Sequence, residues 1–121
     1  MQGMLTKKGR DLGFGLGFWR TTRLYMLTDT ALSFTDKTKK NVKGNHLVET
    51  FKSVTRMASR RWPNRCFTLV FEDGKIWHLR APTVTECTDW MEALTKAIQN
   101  AEKRKVRGED THLSLALVSF V

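Results

Sequence analysis

Acidic residues are scarce where this sequence is richest in bases. Positions 1–25 hold Lys7, Lys8, Arg10, Arg20 and Arg23 against Asp11 alone, and positions 52–65 hold Lys52, Arg56, Arg60, Arg61 and Arg65 with no acid. Long apolar runs are also missing. A helix needs roughly 18 or more apolar residues in a row to cross a bilayer, and no such run exists, so any membrane contact is expected to be peripheral. The start, MQGMLTKKG, has no apolar stretch behind its charges, and Gln2 stands where myristoylation needs a glycine, so neither a secretory signal nor that lipid anchor is expected. There are two cysteines, Cys66 and Cys87, too far apart for a CxxC pair, and His46, His78 and His112 are scattered, which argues against a zinc site. Spacing alone leaves a disulfide open, but two reduced, buried thiols in a cytosolic domain fit better.

The motifs of catalysis are missing too. There is no GxxxxGK[ST] phosphate cradle, no nucleophile elbow, and no Cys or Ser set at a recognisable spacing from a His. A chain of 121 residues has room for one domain and one core, so no second, catalytic domain is expected within it. The expectation is a non-enzymatic module without metal or cofactor.

What is present is positive charge: 21 Lys and Arg against 12 Asp and Glu, a formal +9. A third basic stretch sets Lys37, Lys39, Lys40 and Lys43 against Asp36. Phosphate is common to the two partners this suggests, membrane lipid and nucleic acid. Trp62 among Arg56, Arg60, Arg61 and Arg65 could stack on a base or form a second anion site. Nucleic acid is the weaker reading, because neither a ribonucleoprotein motif nor a zinc spacing accompanies it.

Alternating, β-branched and aromatic runs bounded by turn residues predict seven strands, near 3–8, 22–28, 31–35, 46–49, 53–57, 66–71 and 75–80. Thr28-Asp29-Thr30 and Asp73-Gly74 mark two hairpins. The period then changes. Pro82, the Thr83 and Glu86 capping box, and the stripe Cys87, Trp90, Met91, Leu94 and Ile98 predict one amphipathic helix. Strands followed by one helix give an α+β class, mainly β, with the helix covering the sheet. The charged segment 102–110 and the apolar end 111–120 are expected to form a flexible tail, so the domain is placed at 1–103 and the tail at 104–121.

Several stretches in this order resemble the pleckstrin-homology family over roughly residues 1–103. Gly3-Met4-Leu5-Thr6-Lys7 is similar to its first strand, and Trp19 through Arg23-Leu24-Tyr25-Met26-Leu27-Thr28-Asp29 to its second strand and turn. Ile76-Trp77-His78-Leu79-Arg80-Ala81-Pro82 followed by Cys87-Thr88-Asp89-Trp90 is similar to its last strand and its tryptophan-bearing helix. The resemblance implies a bent seven-stranded barrel capped by the helix, with Trp90 as structural core together with Met91, Leu94 and Cys87.

The resemblance also implies a headgroup site for anionic lipid, whether phosphoinositide, phosphatidic acid or phosphatidylserine. Lys7 matches the basic residue late in the first strand, and Arg23 the final Arg of the second. The middle basic position falls on Thr21, with Arg20 one residue early, and a one-residue step reverses the face of a strand. A bulge after Trp19 would restore it. Phe34 takes the place of the third-strand aromatic and Lys43 lies near a basic loop position, while Lys8 and Arg10 extend the patch. In the first loop Gly13, Gly15 and Gly17 alternate with Phe14, Leu16 and Phe18. Phe14 and Leu16 are read as apolar tips that enter the membrane, and Phe18 or Trp19 as turning into the core. A protein-interaction module of the same fold, with a protein partner, is the alternative.

Overall fold

Asp73 and Gly74 reverse the chain in the way their side chains favour. In a computed structural model of the protein Gly74 has φ 90°, a left-handed conformation that side-chain-free residues adopt cheaply. The Lys75 amide donates to Asp73 Oδ1 at 2.9 Å and the Gly74 amide to the Phe71 carbonyl at 3.0 Å. The turn joins β6 (Cys66–Phe71) to β7 (Ile76–Arg80), with Leu69 opposite Trp77. A second hairpin joins β2 (Trp19–Leu27) to β3 (Ala31–Thr35), where the Thr28 hydroxyl accepts from the amides of Thr30 and Ala31 at 3.4 and 3.2 Å. The structure describes residues 1–9, 19–35 and 42–119, and for residue 20 and residues 106–119 it defines the backbone only.

With β1 (Gln2–Lys8), β4 (Val42–Leu47) and β5 (Phe51–Arg56), these strands form one antiparallel sheet in the order β4-β3-β2-β1-β7-β6-β5. β4 and β5 lie at opposite edges of the sheet, yet in sequence only the 3₁₀ turn Val48–Thr50 separates them. Such a connection requires the sheet to curl. His46 on β4 accordingly meets Trp77 of β7 at 4.6 Å and Phe71 of β6 at 5.9 Å between ring centres.

The curl encloses the inward residues of each strand, among them Leu5, Tyr25, Leu32, Phe67, Leu69 and Leu79, all buried. α1 (Val84–Ser119) closes the structure. Its N-terminus is capped as the sequence suggests, with the Glu86 amide donating to Thr83 Oγ1 at 3.1 Å. Cys87, Trp90, Leu94 and Ile98 recur every three or four residues and face the sheet. Trp90 is 1% exposed, and a Cβ on Gly3 would come within 3.1 Å of its Nε1, so β1 makes room for the indole. Emptying such a site typically costs about 3–5 kcal/mol. Met91, expected in the core, is only partly buried against its edge. Both cysteines are buried and free.

Three boundaries differ from the sequence expectation by more than two residues. β2 begins at Trp19, because Trp19 pairs with Lys8 across a register shift that leaves Arg20 as the extra residue of β2. β4 begins at Val42 in a stretch without alternation, held by its pairing with β3. α1 continues beyond residue 103, where charge density suggested its end. Glu, Lys and Arg are good helix formers, and Arg104 and Lys105 donate to the carbonyls of Asp29 and Glu49 at 2.9 and 2.8 Å.

Candidate functional site

Along β1 the inward stripe passes from buried Leu5 to half-buried Lys7, and along β2 from Tyr25 to Arg23, as the strand period of two dictates. Leu5 pairs with Arg23 and Lys7 with Thr21, so Lys7 and Arg23 sit diagonally on one inward face. The core therefore ends in cations at the loop side of the curled sheet.

Those cations rest on aromatic rings. Lys7 Nζ is 4.2 Å from the Trp77 ring centre, the Arg23 guanidinium carbon 4.9 Å from Phe34, and Lys75 Nζ 5.6 Å from Phe71. Phe34 packs edge-on to Trp77 at 6.3 Å and stacks on His46 at 6.1 Å, which makes the rings a continuous shelf. Gly44 is the gap that admits it, since a Cβ there would meet the Phe34 ring at 2.4 Å.

Burial, then the charges of Arg23 and Lys75, hold the Lys7 ammonium below its ordinary pKa. Burial, then Lys75 and Lys7, do the same to His46. The charged forms of Lys7 and His46 are thus disfavoured by burial and by the cations around them, and an anion placed among them would relieve that repulsion. The arrangement suits a phosphate or carboxylate bearing more than one negative charge. Among the described residues no group of three or more His, Cys, Asp or Glu is placed to hold a metal ion.

The structure brings Lys7 and Arg23 together and separates other residues grouped with them by sequence. Lys8 follows Lys7 and so faces the other side, where its charge acts on His78 and Cys66. Trp19, its partner across the register shift, lies against Arg80 rather than in the core. Arg20 is the extra residue at the register shift after Trp19. Lys43 is exposed, the extra residue where β4 shifts register against Phe34 and Thr35. Arg10, Phe14, Leu16 and Phe18 lie outside the described residues.

Lys75, His46 and Trp77 belong to the mouth but were not singled out from sequence as site residues. Trp77 and Lys75 could have been found by counting along β7 and its turn from buried Leu79. His46 could not, since only the curl of the sheet brings β4 to them.

The family model described as "PH domain" matches residues 1–99. Among solved structures, the chain is similar to the C-terminal PH domain of pleckstrin in complex with D-myo-Ins(1,2,3,5,6)P5, with 25% identity, 81% of this chain and 93% of that chain covered, and a TM-score of 0.67. It is similar to the PH domain of human oxysterol binding protein-related protein 11 at 16% identity, with 86% and 83% covered and a TM-score of 0.69. The Slm1 PH domain in complex with phosphoserine matches at 18% identity, with 82% and 94% covered and a TM-score of 0.63. No curated protein matches the sequence.

Proposed function

This chain belongs to the PH domain family, and on that premise we propose that it is a non-catalytic module that holds its protein at membranes by binding anionic phospholipid in the mouth formed by Lys7, Arg23 and Lys75. The observation that carries this reading is the concentration of these cations over Phe34, Trp77 and Phe71, with burial and then the charges of Arg23 and Lys75 lowering the pKa of Lys7. The pleckstrin domain, 25% identical, was solved with an inositol pentakisphosphate, a ligand of the chemistry proposed here.

Headgroup contact is the polar half of the proposal. Phe14 and Leu16 of the first loop supply the apolar half by entering the acyl boundary beside Lys8, Arg10, Arg20 and Lys43. Each base near an anionic leaflet contributes about 1 kcal/mol, and burying a Leu or Phe fully adds about 1.5–3 kcal/mol. No helix among the described residues is long and apolar enough to cross a membrane. The attachment proposed is peripheral, from the cytoplasm. On this reading the lipid-binding domain is 1–103, and 104–121, which continues α1 as far as Ser119, is its C-terminal extension.

A protein-binding module of the same fold is the second reading, favoured by the pairing of Lys7 with the uncharged Thr21. Vesicle sedimentation separates the two. Lipid binding predicts retention on vesicles containing phosphatidic acid, phosphatidylserine or phosphoinositide and little retention on phosphatidylcholine alone. Salt should weaken this retention only in part, because screening acts on exposed charge and not on apolar insertion. Equal retention on neutral and anionic vesicles, or none on either, contradicts binding of anionic phospholipid.

A further inference from the structure

The outward side of β1 to β4 is almost without charge. Strand pairing sets Gln2, Met26, Ser33 and Asn45 in one row across the four strands, on the face opposite buried Leu5, Tyr25 and Leu32. From Gln2 to Thr6 on β1, Thr22 to Met26 on β2, Ala31 to Thr35 on β3 and Asn45 to Leu47 on β4, no outward position holds Asp, Glu, Lys or Arg. Lys8, at the loop end of β1, is the next outward residue and the first with a charge. Such a stripe stands apart in a chain of which 27% is charged and whose net charge is +9.

Large apolar side chains are open to solvent within it. Met26 is 43% and Leu47 47% exposed, one on each side of β3, with Met4 and Leu24 half-buried beside them. The polar groups between them are hydroxyls and amides, which both donate and accept hydrogen bonds.

What covers this face follows from charge. Acidic partners drawn by the net charge are steered to the bases, and the stripe offers them no cation. Two copies of so basic a chain repel each other, and they repel least where charge is absent. A two-fold pairing lays the patch on its own equivalent, so that apolar groups meet apolar groups and each hydroxyl or amide can serve as donor or acceptor to the other copy.

We propose that the outward face of β1 to β4 pairs two copies of this chain, with Met26 and Leu47 as the apolar anchors. Four strands about 4.8 Å apart, with outward residues about 6.6 Å apart along each, make a face on the order of 300 Å² in projection. Standard interfaces bury roughly 800 Å² on each partner, so this pair is weak and forms where the chain is concentrated. The mouth takes no part in it, and the pairing stands whether or not the mouth holds lipid.

The test is sedimentation equilibrium of the full chain from about 10 μM to about 1 mM, a range that brackets weak association. The mean mass should climb towards twice that of the monomer. It should climb further as salt is raised, since salt screens the repulsion between like charges and leaves apolar contact intact. Met26→Lys with Leu47→Lys should stay monomeric with a nearly unchanged melting temperature, because both side chains are exposed. If two new lysines unsettle the sheet, Leu47→Lys alone should still weaken association several-fold, since it sets a charge in an apolar contact. Lys7→Gln with Arg23→Gln should associate as wild type does, which separates this pairing from the lipid-binding reading. In nuclear magnetic resonance spectra the amide signals of Met26, Ser33 and Asn45 should move with concentration, while those of Ile76 and Val84, apolar residues similarly exposed elsewhere, stay in place. Unaltered association of a folded Leu47→Lys protein, or movement confined to Ile76 or Val84, overturns the proposal. A monomer at every concentration also overturns it and gives the face to another occupant: the bilayer if Met26→Lys with Leu47→Lys loses vesicle retention, a different protein if retention is unchanged.

Discussion

The Nζ of Lys7 stands 4.2 Å from the centre of the Trp77 ring, so the cation at the mouth rests on an indole that is itself 6% exposed and part of the core. Site and core are therefore mechanically joined, and substitutions in one should register in the other to a degree set by which ring they move.

Gly44→Ala is the sharpest case. The new Cβ would overlap the Phe34 ring, which supports Arg23 at 4.9 Å. Overpacking of this kind costs about 1–3 kcal/mol. The variant should melt lower and bind anionic vesicles more weakly, and Phe34→Leu in the same chain should restore much of the stability without restoring binding. Calorimetry and sedimentation on the pair check this; wild-type values for Gly44→Ala would show that Phe34 yields freely.

Tyr25→Phe should behave in the opposite way. The Tyr25 hydroxyl is fully buried with no hydrogen-bond partner among the described residues, and burial pushes its pKa up to about 12. Removing an unpaired polar atom recovers a desolvation cost of about 1–3 kcal/mol at most. The expected melting temperature is equal to or above wild type, with vesicle binding unchanged. A loss of more than about 1 kcal/mol in denaturant unfolding would mean that the hydroxyl is bonded in solution.

Acid should destabilise the free domain through its histidines. Burial, then Lys75 and Lys7, lower the pKa of His46 from 6.5, and burial, then Lys8, lower that of His78. A base with a lowered folded pKa binds fewer protons folded than unfolded, so its contribution is complete above about pH 6.5 and is lost as pH falls through the folded value. The melting temperature should hold above about pH 6.5 and fall as the pH is taken below it. His46→Asn should remove part of that drop, and an identical pH profile in wild type and variant would contradict the assignment.

The fold was legible in the sequence wherever it was local. Thr28 and Asp73-Gly74 make their turns with their own side chains, and the Cys87, Trp90, Leu94, Ile98 stripe identifies the buried face of α1 without knowledge of its partner. Lys7 and Arg23 could be located because strand alternation from Leu5 and Tyr25 carries directly to them. His46 was not legible, because its place beside Trp77 depends on the sheet curling through the β4 to β5 connection. The place of Trp19, one of two residues expected to supply a core ring, was not legible either, because the shift opposite Lys8, which sets it toward Arg80, depends on cross-strand pairing and not on any residue type.

The central claim is that the inward cations, and not the net charge of +9, attach this domain to membrane. The most direct measurement is sedimentation with vesicles containing phosphatidic acid or phosphoinositide, comparing wild type, Lys7→Gln/Arg23→Gln, and the charge-matched control Lys52→Gln/Lys96→Gln on exposed positions away from the mouth. The mouth variant should lose at least about tenfold in vesicle affinity, since two phosphate contacts are removed, and should melt no lower than wild type because two mutually repelling, half-buried charges have gone. The control should bind nearly as wild type. Equal losses in the two variants, or wild-type binding by a folded Lys7→Gln/Arg23→Gln protein, would contradict the account.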